Sequence, residues 1–222
     1  MTMPNLPTHH PSDERLLDYV SGAASEPVSL VIATHLALCP RCRRESQELE
    51  SLGGALLDEL PAESVSADCL DRMLARIERP ESPAEPAKPA SAAGGDSSIP
   101  QPLRGYLDRP LADLPWRRRG AISEVSLLSD VDNHATRLFW IRAGAAVSQH
   151  THKGSELTLV LKGSFHDAHG RYVRGDVEEA DSDIDHRPIA GEDEDCLCLA
   201  VTDAPLKQTS PLGRLINPFV RI

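Results

Sequence analysis

His35, Cys39 and Cys42 stand in the order H-x3-C-x2-C, which puts three soft or borderline metal ligands within eight residues. On a continuous helix His35 and Cys39 lie one turn apart on one face, and Cys42 continues that face. Zinc in a structural site takes four nitrogen or sulfur ligands in a tetrahedron, so one donor is missing. His9 and His10, just ahead of the first helical segment, are the candidates. Taken singly, a histidine is more often a half-buried polar residue and a cysteine a small core hydrophobe. The C-x-x-C beside a helical histidine is what favours a metal here.

A second set lies between Gly144 and Gly163, where the sequence reads G-x5-H-x-H-x3-E-x6-G. In an extended chain His150 and His152 point to one face, and Glu156 shares their parity beyond a Lys153-Gly154-Ser155 turn. His186, at the end of GDVEEADSDIDH, is spaced to return across a barrel as a fourth ligand. Three imidazoles and a carboxylate suit Zn, Mn, Fe or Ni, and affinity order alone does not select among them. His134, His166 and His169 do not fit this paired spacing and read as solvated turn residues. Cys196 and Cys198 share one face of a strand; if that face is the barrel lumen, they lie near the metal and are open to oxidation there. Cys69 reads as a core or interface residue.

The elements that must position these residues change character along the chain. Up to residue 80 the apolar spacing is helical. Ser12 caps a first helix with Asp13 and Glu14 in its first turn, and a second starts near Ser25 with Pro27 close behind. A third spans Pro40 to Leu60, and Ser66 caps a fourth with Leu70, Met73, Leu74 and Ile77 along one face that needs a cover. Residues 81–102 are rich in proline, with Gly94-Gly95 and no apolar periodicity, and read as a flexible linker. From 103 to 222 short apolar runs such as ELTLVL and DCLCLAVT alternate with turn residues, as in an all-β sandwich or barrel. The expected division is 1–80 helical, 81–102 linker and 103–222 β-barrel.

The 222 residues carry 34 acidic and 23 basic side chains, a net charge of −11. This argues against gripping nucleic acid or an anionic membrane through the summed field, and for a basic partner. Asp13, Glu14 and Arg15 fall where a signal peptide needs an apolar run, so a cytoplasmic location is expected. Five cysteines then read as thiols or ligands rather than as a disulfide framework.

The upstream histidine followed by H-x3-C-x2-C, over roughly residues 9–80, resembles the zinc-binding anti-sigma domain. That likeness implies zinc on His10, His35, Cys39 and Cys42, with His9 the alternative upstream ligand. It also implies a helical domain that wraps an ECF (group IV) sigma factor and blocks its access to RNA polymerase. The two motifs around His150, His152, Glu156 and His186 are similar to the cupin signature, which implies a jelly-roll barrel with a divalent metal. The order of zinc anti-sigma domain, proline-rich linker and cupin resembles the ChrR family of anti-sigma factors. The likeness implies a regulator, not an enzyme, whose cupin relieves inhibition under singlet oxygen or organic peroxide, with a protease or a homo-oligomer through the barrel left open. The alternative is a metal-dependent cupin enzyme, a dioxygenase or isomerase, with a zinc-binding regulatory domain.

Overall fold

The computed structural model describes residues 6–78, 99–131, 134–204 and 207–209. Its helical part begins with α1 (Asp13–Val20), entered through Ser12 in an extended conformation, with two acidic residues in the first turn complementing the helix dipole. α2 (Glu26–Leu38) starts after Ser25, with Pro27 where its missing N–H costs nothing. α3 (Pro40–Asp58) follows at once, and α4 (Cys69–Ile77) starts after Asp68, two residues beyond the cap expected at Ser66.

The third helix starts at Pro40 as its sequence suggests, so the continuous helix on which the three ligands would share a face does not form. His35, Cys39 and Cys42 do not share one helix, because α2 ends at Leu38 and Cys39 is extended (φ −109°, ψ 104°) before Pro40 opens α3. Proline excludes the helical conformation from the residue before it and has no N–H to continue the ladder, so the chain must break there. The break lets Cys39 serve as the N-cap of α3, where its sulfur accepts the Cys42 N–H at 3.5 Å.

α2 is apolar nearly all round, with Pro27, Val28, Leu30, Val31, Ile32, Thr34 and His35 buried, and such a helix needs cover on every side. α1 and α3 supply one side, and the β region supplies the other. There a six-stranded antiparallel sheet has the order β1 (Arg117–Arg119), β2 (Ile122–Val131), β3 (His134–Ile141), β11 (Cys196–Thr202), β5 (Glu156–Lys162), β8 (Val177–Ala180). Leu157, Leu159, Leu161, Leu197, Leu199 and Val201 face α2 and form one core with it. The opposite face, with Val160, Cys196 and Cys198, packs on Phe165, Tyr172 and Ala190 inside the barrel. Both faces are covered, which is why all seven residues of β11 are buried.

Two small antiparallel sheets complete the barrel. One is ordered β10 (Ile189–Ala190), β6 (Ser164–His166), β7 (Arg171–Val173). The other, β12 (Lys207–Gln208), β4 (His150–Thr151), β9 (Asp185–His186), closes the end that carries the histidines. Gly163, at φ 69°, makes the β5–β6 turn, and a Cβ there would lie 2.5 Å from the Asp195 carbonyl oxygen.

Most of the stretch expected to be linker lies outside the described residues. Its last part is not free chain: Ile99 and Pro100 are buried, and α5 (Gln101–Arg104) packs on α2 through Leu103. No helix among the described residues is long and apolar enough to cross a membrane.

Candidate metal centres

The first centre is assembled from three segments. His10 comes from the extended chain before α1, His35 from the last turn of α2, and Cys39 and Cys42 from the α2–α3 junction. One donor atom from each lies within 4.8 Å of the others. His10 Nδ1 is 3.5 Å from Cys39 Sγ and 3.4 Å from Cys42 Sγ, so His10 is the upstream histidine the fold brings to the thiols. His9 points elsewhere: its Nδ1 is 3.4 Å from Asp176 Oδ2, and its ring sits 4.5 Å from that of Tyr172.

The donor set fits a cation. His35 Nδ1–H donates to the Gly175 carbonyl at 2.7 Å, which leaves the Nε2 lone pair facing the thiols. That Nε2 is buried and has no hydrogen-bond partner, a costly state for a polar atom unless something else occupies its lone pair. Burial holds His35 neutral, with its pKa lowered to about 4. Burial, with Cys39 beside it, pushes the Cys42 thiol up to about 12. A thiolate here therefore needs a positive charge next to it, which a zinc ion would supply.

The second centre lies at the barrel end. β4 contributes His150, the turn after it His152, the start of β5 Glu156, and β9 His186, which pairs directly with His150. All four donors lie within 4.8 Å of one another, and all but Glu156 are fully buried. His186 Nε2 is 3.2 Å from both His150 Nε2 and His152 Nε2. Nitrogens each bonded to one ion at about 2.0–2.1 Å are separated by about this distance. His152 Nδ1 is buried without a hydrogen-bond partner, 3.7 Å from Glu156 Oε2. His150 Nδ1–H donates to the Ser148 carbonyl at 2.8 Å, which fixes the tautomer that leaves Nε2 free.

Two acids that spacing did not single out complete this centre. Asp167 Oδ2 and Glu178 Oε1 each lie 3.2 Å from His186 Nδ1. Burial raises the Glu178 carboxyl, whereas Asp167 is lowered because burial is outweighed by the backbone N–H groups of His169 and Gly170. For His186 burial works downward, but contact with Glu178 outweighs it and the imidazole is raised. A carboxylate on the outer nitrogen of a metal-binding histidine orients the ring and raises its basicity. The signal available in the sequence was the pair Glu178-Glu179 in a short strand, where alternation sends one of two adjacent acids inward. Replacing both partners, Asp167→Ala with Glu178→Ala, is expected to weaken metal binding in the barrel by about 10–100-fold. Competition against a chromogenic chelator measures this directly.

Cys196 and Cys198 lie on the lumen face with their sulfurs 3.4 Å apart. The contact with Cys196, reinforced by burial, raises the Cys198 thiol well above its ordinary value.

Comparison with known proteins places the whole chain in a family. Residues 109–205 match the family described as the ChrR cupin-like domain. The anti-sigma-E factor ChrR of Cereibacter sphaeroides is 42% identical over 214 residues, covering 96% of this chain and 98% of that protein. This chain belongs to the ChrR family of anti-sigma factors. A chain in the crystal structure of Rhodobacter sphaeroides SigE in complex with the anti-sigma ChrR superposes with a TM-score of 0.76 at 38% identity, covering 88% of this chain and 98% of that one. Membership of the ChrR family makes the barrel a cupin-like domain within a regulator.

Proposed function

We propose that this protein is an anti-sigma factor that holds an ECF (group IV) sigma factor inactive through its N-terminal helical region and releases it when the barrel senses an oxidant. Family membership supports the first half, because the SigE–ChrR complex is the assembly of a close structural relative. The observation that carries the reading on this chain is the uncovered apolar surface of the helical region. Leu52, Leu56 and Leu57 on α3, Leu60 after it, and Leu70, Met73, Leu74 and Ile77 on α4 are all exposed, and no residue of α4 is buried. An apolar surface of this extent marks a partner-binding site rather than a free surface.

The division of labour follows the sequence: residues 1–80 inhibit, 81–102 connect, and 103–222 sense. The first 80 residues hold 13 acidic and 7 basic side chains, a charge that complements a basic DNA- or polymerase-binding face on the partner. Zinc held by His10, His35, Cys39 and Cys42 is structural, because four protein donors close its coordination. His150, His152, Glu156 and His186 would hold a divalent ion, whether Zn, Mn, Fe or Ni, that would supply a site for singlet oxygen or an organic peroxide to react, with Cys196 and Cys198 as the oxidisable thiols of the same lumen. The protein works in the cytoplasm, where its target polymerase is, without contacting nucleic acid itself. A protease that degrades the released factor and a homo-oligomer through the barrel complete the set of partners.

The test is a sigma-dependent reporter in cells exposed to singlet oxygen. The triple variant His150→Ala, His152→Ala, Glu156→Ala is expected to keep sigma bound and leave the reporter uninduced. Full induction in that variant would remove the barrel from signalling, and turnover of a small organic substrate by the protein would favour the enzyme reading.

A further inference from the structure

The two centres are not independent, because one short stretch of the barrel touches ligands of both. Residues 175–179 comprise the end of the β7–β8 turn and most of β8, the edge strand of the large sheet. Toward the helical region, the Gly175 carbonyl accepts from His35 Nδ1–H at 2.7 Å. Asp176, with no solvent exposure, accepts through Oδ1 from the backbone N–H groups of Thr8 at 2.6 Å and His9 at 3.0 Å. Its Oδ2 accepts from Val173 N–H at 2.8 Å, which ties the same carboxylate to the turn. The Val177 N–H donates to the His9 carbonyl at 3.2 Å, and Glu179 Oε1 accepts from Ser12 N–H at 2.8 Å. Residues 8–12, which carry His10, thus lie along the free edge of β8. Toward the lumen, Glu178 Oε1 contacts His186 Nδ1, and β8 pairs with β5 so that Ala180 stands opposite Glu156.

We propose that residues 175–179 form a latch shared by the two metal centres, in which Asp176 and the Gly175 carbonyl are positioning groups for the thiol centre and Glu178 is one for the barrel centre. The latch links centres that the chain order separates by more than a hundred residues. Freeing His186 in the barrel loosens β8 through Glu178, and the loosened strand surrenders His35 and the His9–His10 segment. Cys39 and Cys42, each at most 1% exposed while the latch is closed, then become accessible. Gly175 suits this position, since its φ of 94° favours glycine and a Cβ there would sit 2.6 Å from Pro7 Cγ, prising the N-terminal segment off the barrel. The inference rests on the reading of both clusters as metal sites but not on the identity of the partner.

The experiment uses the full-length, metal-loaded chain and a short pulse of N-ethylmaleimide, with modification of each cysteine quantified by peptide mass. In Asp176→Ala the rate at Cys39 and Cys42 is expected to rise about tenfold or more, as the segment carrying His10 opens locally. In His150→Ala/His152→Ala, which empties the barrel centre without touching the latch, a rise of at least about threefold is expected from local opening. Cys196 and Cys198 should stay protected in Asp176→Ala, showing that the barrel is folded. A rate equal to the parent's in either variant overturns the latch. So does equal exposure of Cys196 and Cys198 in Asp176→Ala, because the carboxylate would then hold the barrel as a whole. A parent chain that releases no zinc when Cys39 and Cys42 are titrated with a mercurial overturns the metal reading itself, a failure visible before any variant is made.

Discussion

Replacing Cys42 by serine is expected to strip zinc from the first centre, detach α3 from α2 and lower affinity for the sigma factor by more than about 100-fold. The size of the effect follows from how little else holds these elements. Only Cys42 and Ser46 are buried along the 19 residues of α3, and His10 arrives on an extended segment with no helix of its own. A structural zinc ion contributes about 10–16 kcal/mol of apparent binding free energy in small domains, comparable to or larger than the whole stability of a typical domain at about 5–15 kcal/mol. The barrel has its own core of apolar strands and should keep its metal. Circular dichroism should therefore show lost helical signal, while metal analysis drops by one ion per chain. A variant that keeps its helicity and binds sigma at the parent's affinity would make the zinc dispensable.

Charging the α4 face should damage binding just as severely while leaving the free protein untouched. Leu70, Met73, Leu74 and Ile77 are 65%, 59%, 48% and 78% exposed and repeat at i, i+3, i+4 and i+7. Nine residues are too few for a helix to be stable in water by propensity alone, so α4 is expected to gain its stability by packing on a partner. Burying a leucine side chain stabilises by about 1.5–3 kcal/mol, so losing two and forcing in two carboxylates should cost several kcal/mol, about 100–1,000-fold in affinity. Leu70→Asp/Leu74→Asp should thus lose sigma binding in fluorescence anisotropy with a melting temperature within a degree or two of the parent's. A large fall in melting temperature would instead place α4 in the protein's own core.

The two clusters that could hold a metal were legible because their residue types stand at short, fixed spacing. H-x3-C-x2-C and H-x-H-x3-E need no tertiary information to be noticed. What spacing could not supply was the route between elements. Pro40 forbids the single helix that would align His35 with Cys42, yet the broken path brings the same atoms together through the N-cap of α3. That His10 and not His9 lies beside the thiols goes with Asp176, 3.4 Å from His9 Nδ1 and 167 residues away, a pairing no local pattern encodes. Asp167 and Glu178 were overlooked for the same reason, since their importance lies only in pointing at His186. The role of α2 was half visible. Its all-round apolar sequence demanded burial, and the continuous apolar runs of β5 and β11 demanded cover, but nothing in the sequence says that these two demands satisfy each other.

The most direct measurement of the central claim is promoter-specific run-off transcription by core RNA polymerase with a purified group IV sigma factor from the same organism. One equivalent of this protein should abolish the transcript, and Leu70→Asp/Leu74→Asp should restore it. Transcription that continues unchanged at saturating protein would contradict the account, whatever the metal sites contain.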